Sequence, residues 1–480
     1  MKPLYYLFLV SILLIGCQDR LSYQTEDFDE APITKAEEMS RSFSINEPYT
    51  FVTEKDFKAW TDIVTLEGRL AACEIPESTL KAMTTDALVR TVLKYPLNFI
   101  YSAYNDPFVA VDIIVKNSPL HQELFSRNDA AEMLLHYFGR TCIDKSLQET
   151  SFNRDESCLT YANELFFEYL LSSRLSTGLF SKHDLLELQS TARRKFEERQ
   201  IDSKDFSEVS LAPLRLMLEG TSSSSQTRSF YYWQWYTPFG HMFRAEARTE
   251  MTDMEIYTIT SDYVSNYPDA GMVALASDRY NGNGYAWMIN DPTAGSNNSA
   301  TTSNSWLYDE GGLGNSGNNI TYMWGNDLYT ETTISSEAEK IYYNGADHSA
   351  LPYYNQRYIS KWGNGPLVSH APTYCPYLTT DMKYYKIRTE PTSGNFVIVG
   401  DTQVVVDEAN VYSFPASLRG ITLNWSVENI STGSTSSFSF SPTTHTLCCY
   451  EPGAYVIHVD GYFGSNHVIT RQKIIVCSPY

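Results

Sequence analysis

Cys375 follows His370 by five positions, and a thiol beside an imidazole is a common activated nucleophile, the ring taking the proton and later returning it to a leaving group. Another imidazole, His348, stands between Asp347 and Ser349. Further upstream, Arg279 to Pro292 reads RYNGNGYAWMINDP and has the look of an active-site strand-to-helix turn. A cysteine at the start of such a helix has its thiolate favoured by the helix dipole and by a nearby imidazole. The centre of this stretch holds Gly282 and Asn283 instead, and neither attacks a carbonyl. Ser349 and Ser360 lack the strained turn that presents a nucleophilic serine. Asp347, His348 and His370 offer one carboxylate and two imidazoles, a set too common to specify a metal. The loops around Asp309, Asn318, Asn319, Asn326 and Asp327 supply oxygens for incidental calcium, but without the EF-hand order. No other cofactor is expected.

Side chains so far apart in sequence need a scaffold to bring them together. At 480 residues the chain exceeds one ordinary core, and its 42% hydrophobic content, with 35 Tyr and 8 Trp, supplies material for several. Residues 47–220 read as an all-α domain. Thr85 to Val89 opens one helix behind a capping residue, Asp129 and Glu132 have capping-box spacing before Gly139, and Ser181 begins another helix. In that last helix Leu185, Leu188, Ala192 and Phe196 form the apolar stripe, and Arg193, Arg194, Glu197 and Glu198 face outward. His121, His136 and His183 are isolated from one another in pattern, with structural or solvent-exposed roles. The serine run within 221–229 is a linker. Residues 230–382 are rich in Tyr, Trp, Asn and Gly, with strand-like pieces such as Ala338 to Tyr343. Residues 383–480 read as an all-β domain with strands at Gln403 to Asp407, Ile421 to Val427, Phe438 to Phe440, Ala454 to Val459 and Val468 to Val476, and with Trp425 as a core tryptophan. The 57 acidic against 36 basic residues give a formal charge of −21, which opposes a phosphate backbone. No basic run or zinc spacing appears, so nucleic acid is excluded as a partner.

Taken in order, Arg279 to Trp287, Asn290-Asp291-Pro292, Asp347 to Ala350, Ile359 to Leu367, His370 and Cys375-Pro376-Tyr377 resemble a family of secreted bacterial proteins whose first motif reads Asn-Cys-His-x-Tyr-Ala-Trp. Their cysteine and downstream Asp-His-Ser suggest a papain-like arrangement, similar to the CHAP-type amidases and peptidases that cut bacterial cell walls. The resemblance spans 230–382 and implies an α+β papain-like domain there. Asn281, Tyr285 and Trp287 match the motif, Gly282 takes the nucleophile's place, Asn283 takes that of the following histidine, and His348, with Asp347 beside it, matches the presumed base. This implies a vestigial centre. Loss of a nucleophile leaves only the residual rate from binding and polarisation.

The same resemblance implies that Tyr285, Trp287, Trp362, His348 and His370 keep stacking faces and hydrogen bonds for cell-wall peptide or glycan. Cys375 matches a second cysteine of the family and is expected to pack or to pair. Two other readings stay open: an active amidase or peptidase using Cys375 with His348 or His370, and a purely architectural surface protein. Glu451 to Val459 resembles the closing strand of PKD-like and other immunoglobulin-like modules of secreted bacterial proteins, implying a C-terminal sandwich.

The chain begins with Met1-Lys2 and an apolar run from Leu4 to Ile15, the pattern of an export signal over 1–16. Leu14 to Cys17 matches the bacterial lipobox, which implies acylation of Cys17, with palmitate among the chains, and a membrane anchor; a plain signal peptide or short anchor is the alternative. Residues 17–46 read as a tether, and Glu26, Asp27, Asp29 and Glu30 resemble the surface-export signals of Bacteroidetes lipoproteins. The expected location is therefore the cell envelope, at the outer membrane and its surface. An oxidising compartment permits disulfides among Cys73, Cys142, Cys158, Cys375, Cys448, Cys449 and Cys477, with Cys477 placed to bridge to Cys448 or Cys449.

Overall fold

The computed structural model describes residues 44–144, 158–220, 231–236, 242–289, 306, 329–387, 398, 400–413, 421–430, 432–440, 444–463 and 466–478. The expected export signal, Cys17, most of the expected tether, the expected linker at 221–229, Asn290 to Pro292 and the loops at 309–327 lie outside these residues. Among the described residues no helix is long and apolar enough to cross a membrane.

The first region is helical. It runs through α1 (Val52–Lys55), α2 (Phe57–Thr61), α3 (Leu66–Ala72), α4 (Glu77–Ala82), α5 (Thr85–Leu93), a 3-10 turn (Asn98–Ala103), α6 (Pro107–Asn117), α7 (Pro119–Ser126) and α8 (Ala130–Arg140). The short strands β1 (Cys142–Ile143) and β2 (Cys158–Leu159) precede α9 (Tyr161–Ser173), α10 (Lys182–Ile201) and α11 (Glu208–Glu219). Side-chain caps set several starts: the Thr84 hydroxyl accepts from Ala87 N, and Ser181 and Asp184 form a reciprocal box on α10. The capping box expected at Asp129 is absent, because that carboxylate accepts a 2.7 Å bond from the Thr85 hydroxyl; the helix then continues through Gly139 to Arg140.

The stripe on α10 buries Leu188 and Ala192 and leaves Arg193, Arg194, Glu197 and Glu198 outside, as its spacing predicts. On the same helix Lys195 and Arg199 are buried. Arg199 meets Glu168 of α9 at 2.7 Å, and Lys195 pairs with Glu164. His121 is a buried structural histidine bonded to the Ser118 hydroxyl at 2.8 Å, while His136 and His183 lie on the surface.

After the hairpin β3 (Tyr231–Tyr236) and β4 (Met242–Ala247) and helix α12 (Asp253–Asn266), the chain builds a seven-stranded sheet. Its strands are β5 (Gly271–Ala274), β6 (Tyr329–Thr332), β7 (Lys340–Tyr343), β8 (His348–Pro352), β9 (Tyr358–Lys361), β10 (Leu367–His370) and β11 (Met382–Ile387). They lie in the order β5-β10-β9-β8-β7-β11-β6. Each pairing is antiparallel.

One hydrophobic core runs from Phe51 and Trp60 of the helical region to Val368, Cys375 and Tyr377 beside this sheet. Polar contacts follow it: Trp60 Nε1 donates to Asn266 Oδ1 at 2.8 Å, and Ser207 N to Glu255 Oε1 at 3.0 Å. The boundary read at 221–229 thus separates stretches of chain that share a core. Periodicity shows that a helix has an apolar stripe but not what covers it, and here the sheet region helps to cover it.

The C-terminal region is all-β, with β12 (Gln403–Val405), β13 (Ala409–Ser413), β14 (Ile421–Asn429), β15 (Thr435–Phe440), β16 (Thr444–Cys448), β17 (Gly453–Phe463) and β18 (Asn466–Ser478). A five-stranded sheet has the order β12-β18-β17-β14-β15, and β13 pairs with β16. The five expected strands are all present, several of them longer than their apolar alternation suggests. Trp425 is buried at the centre of β14.

Candidate functional site

The turn at Asn281 is built by its own side chain, whose Oδ1 accepts a 2.8 Å bond from Gly284 N and caps the short helix α13 (Gly282–Gly284). The chain continues as one π-helical turn, Tyr285–Ile289. Facing it, β7 turns back through Asn344–Ala346 into β8, with Asp347 in the left-handed region at φ 45° and ψ 51°. Aspartate tolerates this conformation when its carboxylate is engaged locally.

The structure brings Gly282 and His348 together. A Cβ at position 282 would lie 2.5 Å from His348 Cε1 and Nδ1 and 2.9 Å from the Ser349 carbonyl oxygen. The imidazole thus stands against the place a side chain at 282 would occupy, and glycine is required there for space. The ring stacks on Tyr377 with centroids 4.0 Å apart and planes 23° apart. Neither ring nitrogen has a hydrogen-bond partner. Burial, then the nearby His370 and Lys361, hold the protonation of His348 well below the usual histidine range.

Asp347 does not orient that ring. Its Oδ1 accepts from Asn283 Nδ2 at 2.8 Å and its Oδ2 from Asn105 Nδ2 at 2.9 Å. Asn283 Oδ1 in turn accepts from the Ser349 hydroxyl at 2.6 Å, and Ser349 Oγ accepts from Trp287 Nε1 at 2.7 Å. The result is a buried relay from Trp287 through Ser349 and Asn283 to Asp347, closed on the far side by Asn105. It occupies the carboxylate, the serine and the asparagine with one another. Asn105, just after the 3-10 turn of the helical region, is the member that sequence reasoning missed. Its contact is 242 residues distant, and locally Asn105-Asp106-Pro107 shows only the start of α6.

His370 is fixed separately. Its Nδ1 donates to the Ala371 carbonyl at 2.8 Å, so Nε2 accepts from the Ser360 hydroxyl at 2.9 Å. Burial lowers its pKa from 6.5 to about 4. With both nitrogens engaged, it has none left for Cys375 or for a metal. Cys375 is fully buried, its Sγ sits 3.9 Å from the carbonyls of Pro372 and Tyr377, and burial pushes its thiol up to about 12. A thiol so held is protonated and unreactive at neutral pH.

The aromatic residues expected as open stacking faces require correction. Trp287 and Trp362 are 0% exposed and Tyr285 is 6% exposed, while His370 is buried between β9 and its own backbone. Trp287 packs edge-on against Tyr329 and Tyr385, and Trp362 against Tyr267, at centroid distances of 5.1–5.8 Å. Residue type marks an aromatic as suited to stacking, but only the tertiary fold decides whether its face is covered. Aromatic surface is open instead at the β8–β9 turn, where Tyr353 and Tyr354 are 39% and 62% exposed with rings 4.3 Å apart. Arg357 anchors that turn by donating from Nε to the Ser369 hydroxyl and from Nη2 to the Asp269 carbonyl, each at 2.8 Å.

No family model and no curated protein matches the chain. Among solved structures, similarity is found to a CARDB domain of a Pyrococcus furiosus protein in complex with di-metal ions. It has 18% identity and a TM-score of 0.13 and covers 18% of this chain and 100% of that one. A second similarity is to a domain described as the extracellular part of a hybrid two-component system from B. thetaiotaomicron, at 13% identity and a TM-score of 0.15, covering 28% and 20% of the two chains. The third is to the mixed-linkage glucan utilization locus protein SGBP-B of Bacteroides ovatus in complex with a heptasaccharide, at 16% identity and a TM-score of 0.13, covering 32% and 42%. Overlaps of this size do not establish a shared fold, and the site is read from its own geometry.

Proposed function

We propose that this protein is a lipid-anchored binding protein of the bacterial cell envelope, in which a papain-like reaction centre is closed and silent. The observation that carries this reading is the approach of the His348 ring to the missing side chain of Gly282. Covalent catalysis needs a nucleophile and a base in mutual reach, and here base and glycine backbone meet with no attacking atom between them. The neighbouring polar groups are bonded to one another, which supports a packed former centre over an open cleft. Ligand contact is assigned to the exposed Tyr353–Tyr354 turn, whose anchoring by Arg357 limits the ordering cost of binding. The ligand class is cell-wall peptide or glycan. Use of Cys375 as nucleophile is disfavoured by its burial and raised thiol pKa.

The test is calorimetric titration of the full chain with soluble peptidoglycan fragments and with β-glucan oligosaccharides. Saturable heat that falls at least tenfold in affinity on Tyr354→Ala supports the reading. Absence of heat with both ligand classes refutes the binding role, and fragment hydrolysis abolished by His348→Ala refutes the silent centre.

A further inference from the structure

All seven cysteines among the described residues are present as thiols, and their surroundings divide them into pairs and singles. Cys142 and Cys158 lie directly opposite each other in the parallel ladder of β1 and β2, with their sulfurs 3.3 Å apart. Cys142 is exposed and Cys158 half-buried, so a soluble oxidant reaches both. Cys449 and Cys477 are both buried in one C-terminal core, each 3% exposed, whereas Cys448 is half-buried. Cys448, the immediate neighbour of Cys449, sits on β16 opposite Ala409. Cys73 and Cys375 are buried singly, each pushed up to about 12 by burial.

We propose that the exported protein carries two disulfides, Cys142–Cys158 and Cys449–Cys477, and keeps Cys73, Cys375 and Cys448 as thiols. In each bridge two S–H bonds are lost and one S–S bond forms. Two protons and two electrons pass to the disulfide of an exchange partner, which leaves as its two thiols after a mixed-disulfide intermediate. The first bridge has a mechanical role. The carbonyl of Thr141, next to Cys142, accepts from Lys195 Nζ at 2.8 Å, and Thr160, two residues after Cys158, caps the helix that carries Glu164 and Glu168. A bond from 142 to 158 therefore staples together the two chain segments that hold the buried Lys195, Arg199, Glu164 and Glu168 cluster. The second bridge selects Cys449 over Cys448, the choice that spacing alone leaves open.

The experiment oxidises the folded, reduced full chain with oxidised glutathione. It then blocks remaining thiols with iodoacetamide in denaturant and maps peptides without reduction. Linkage of Cys142 to Cys158 is expected within the folded protein, with Cys158→Ser leaving Cys142 alkylated or glutathionylated. Linkage of Cys449 to Cys477 is expected when the oxidant is present during refolding, because both sulfurs are buried afterwards. Alkylation of Cys73, Cys375 and Cys448 completes the expected pattern. Full alkylation of Cys142 and Cys158 after oxidation, or a peptide joining Cys448 to Cys477, overturns the assignment. These outcomes are independent of ligand binding and of activity at position 282.

Discussion

His348 and His370 stand on the same antiparallel sheet, on β8 and β10, and burial drives the protonation of both down. They differ in their partners. His370 donates a hydrogen bond to the Ala371 carbonyl and accepts one from the Ser360 hydroxyl, whereas His348 stacks on Tyr377 and bonds to nothing through either nitrogen. The first is a histidine whose polarity the fold uses. The second is a histidine whose polarity the fold leaves idle, at the one place where a side chain on Gly282 would meet it. A buried polar atom without a partner costs on the order of 1–3 kcal/mol. The comparison thus separates a histidine held by two hydrogen bonds from one held by packing alone, the state that the proposed vestigial centre requires of His348.

The largest effect that tests this difference is steric. Gly282→Ala places a methyl group 2.5 Å from the His348 ring and 2.9 Å from the Ser349 carbonyl, so the backbone or the ring must move. We expect a loss of about 3 kcal/mol in urea unfolding, the scale of overpacking in a tight core. His348→Ala in the same chain should recover at least about 1 kcal/mol of that loss, as a coupling in the double-mutant cycle. Additive single effects would place the two residues in separate environments and dissolve the idea of a shared centre.

Next in size is the contrast between the two imidazoles themselves. His370→Ala strands the Ser360 hydroxyl and opens a cavity, and a loss of about 3 kcal/mol is expected. His348→Phe keeps a ring against Tyr377 and removes two unpartnered nitrogens, so a change within about 1 kcal/mol of zero is expected. Equal losses in the two variants would mean that His348 has a structural partner in solution and is not a remnant.

What the chain reveals in advance divides along the same line. The strands around Trp425 and the cap at Ser181 follow from local alternation and from a side chain acting on its own backbone, so their signals lie within a few residues. The meeting of Gly282 with His348 is an expectation that only the family resemblance supplies, and no local pattern contains it. Asn105 was invisible because its carboxylate partner lies 242 residues away. Lys195 and Arg199 sit among exposed charges on α10, and nothing local marks them as buried; the approach of Glu164 and Glu168 from α9 gives them their buried partners. Trp287 and Trp362 show the same limit for aromatic residues, since coverage of a ring is a property of its tertiary neighbours.

The smallest expected effect sharpens the comparison through acidity. The pKa of His370 is about 4 in the fold against 6.5 when free, so between those values the unfolded chain binds a proton that the folded chain refuses. Wild-type stability from this group is complete above about pH 6.5 and falls as pH drops toward 4, by about 2 kcal/mol at pH 5. Glutamine at 370 does not titrate, so the deficit of His370→Gln against wild type should shrink by that amount between pH 7.5 and pH 5, while other titrating groups cancel in the difference. His348 is shifted in the same direction, so His348→Phe also removes an acid-sensitive group, but one without bonds to lose. The two variants should therefore part in sign: near pH 5 His348→Phe should be more stable than wild type, whereas His370→Gln approaches wild type from below. Urea midpoints of the three proteins across that range decide the matter. A His348→Phe curve parallel to wild type would show that the ring at 348 is protonated equally in the folded and unfolded chains, and the distinction between the two histidines would then rest on hydrogen bonding alone.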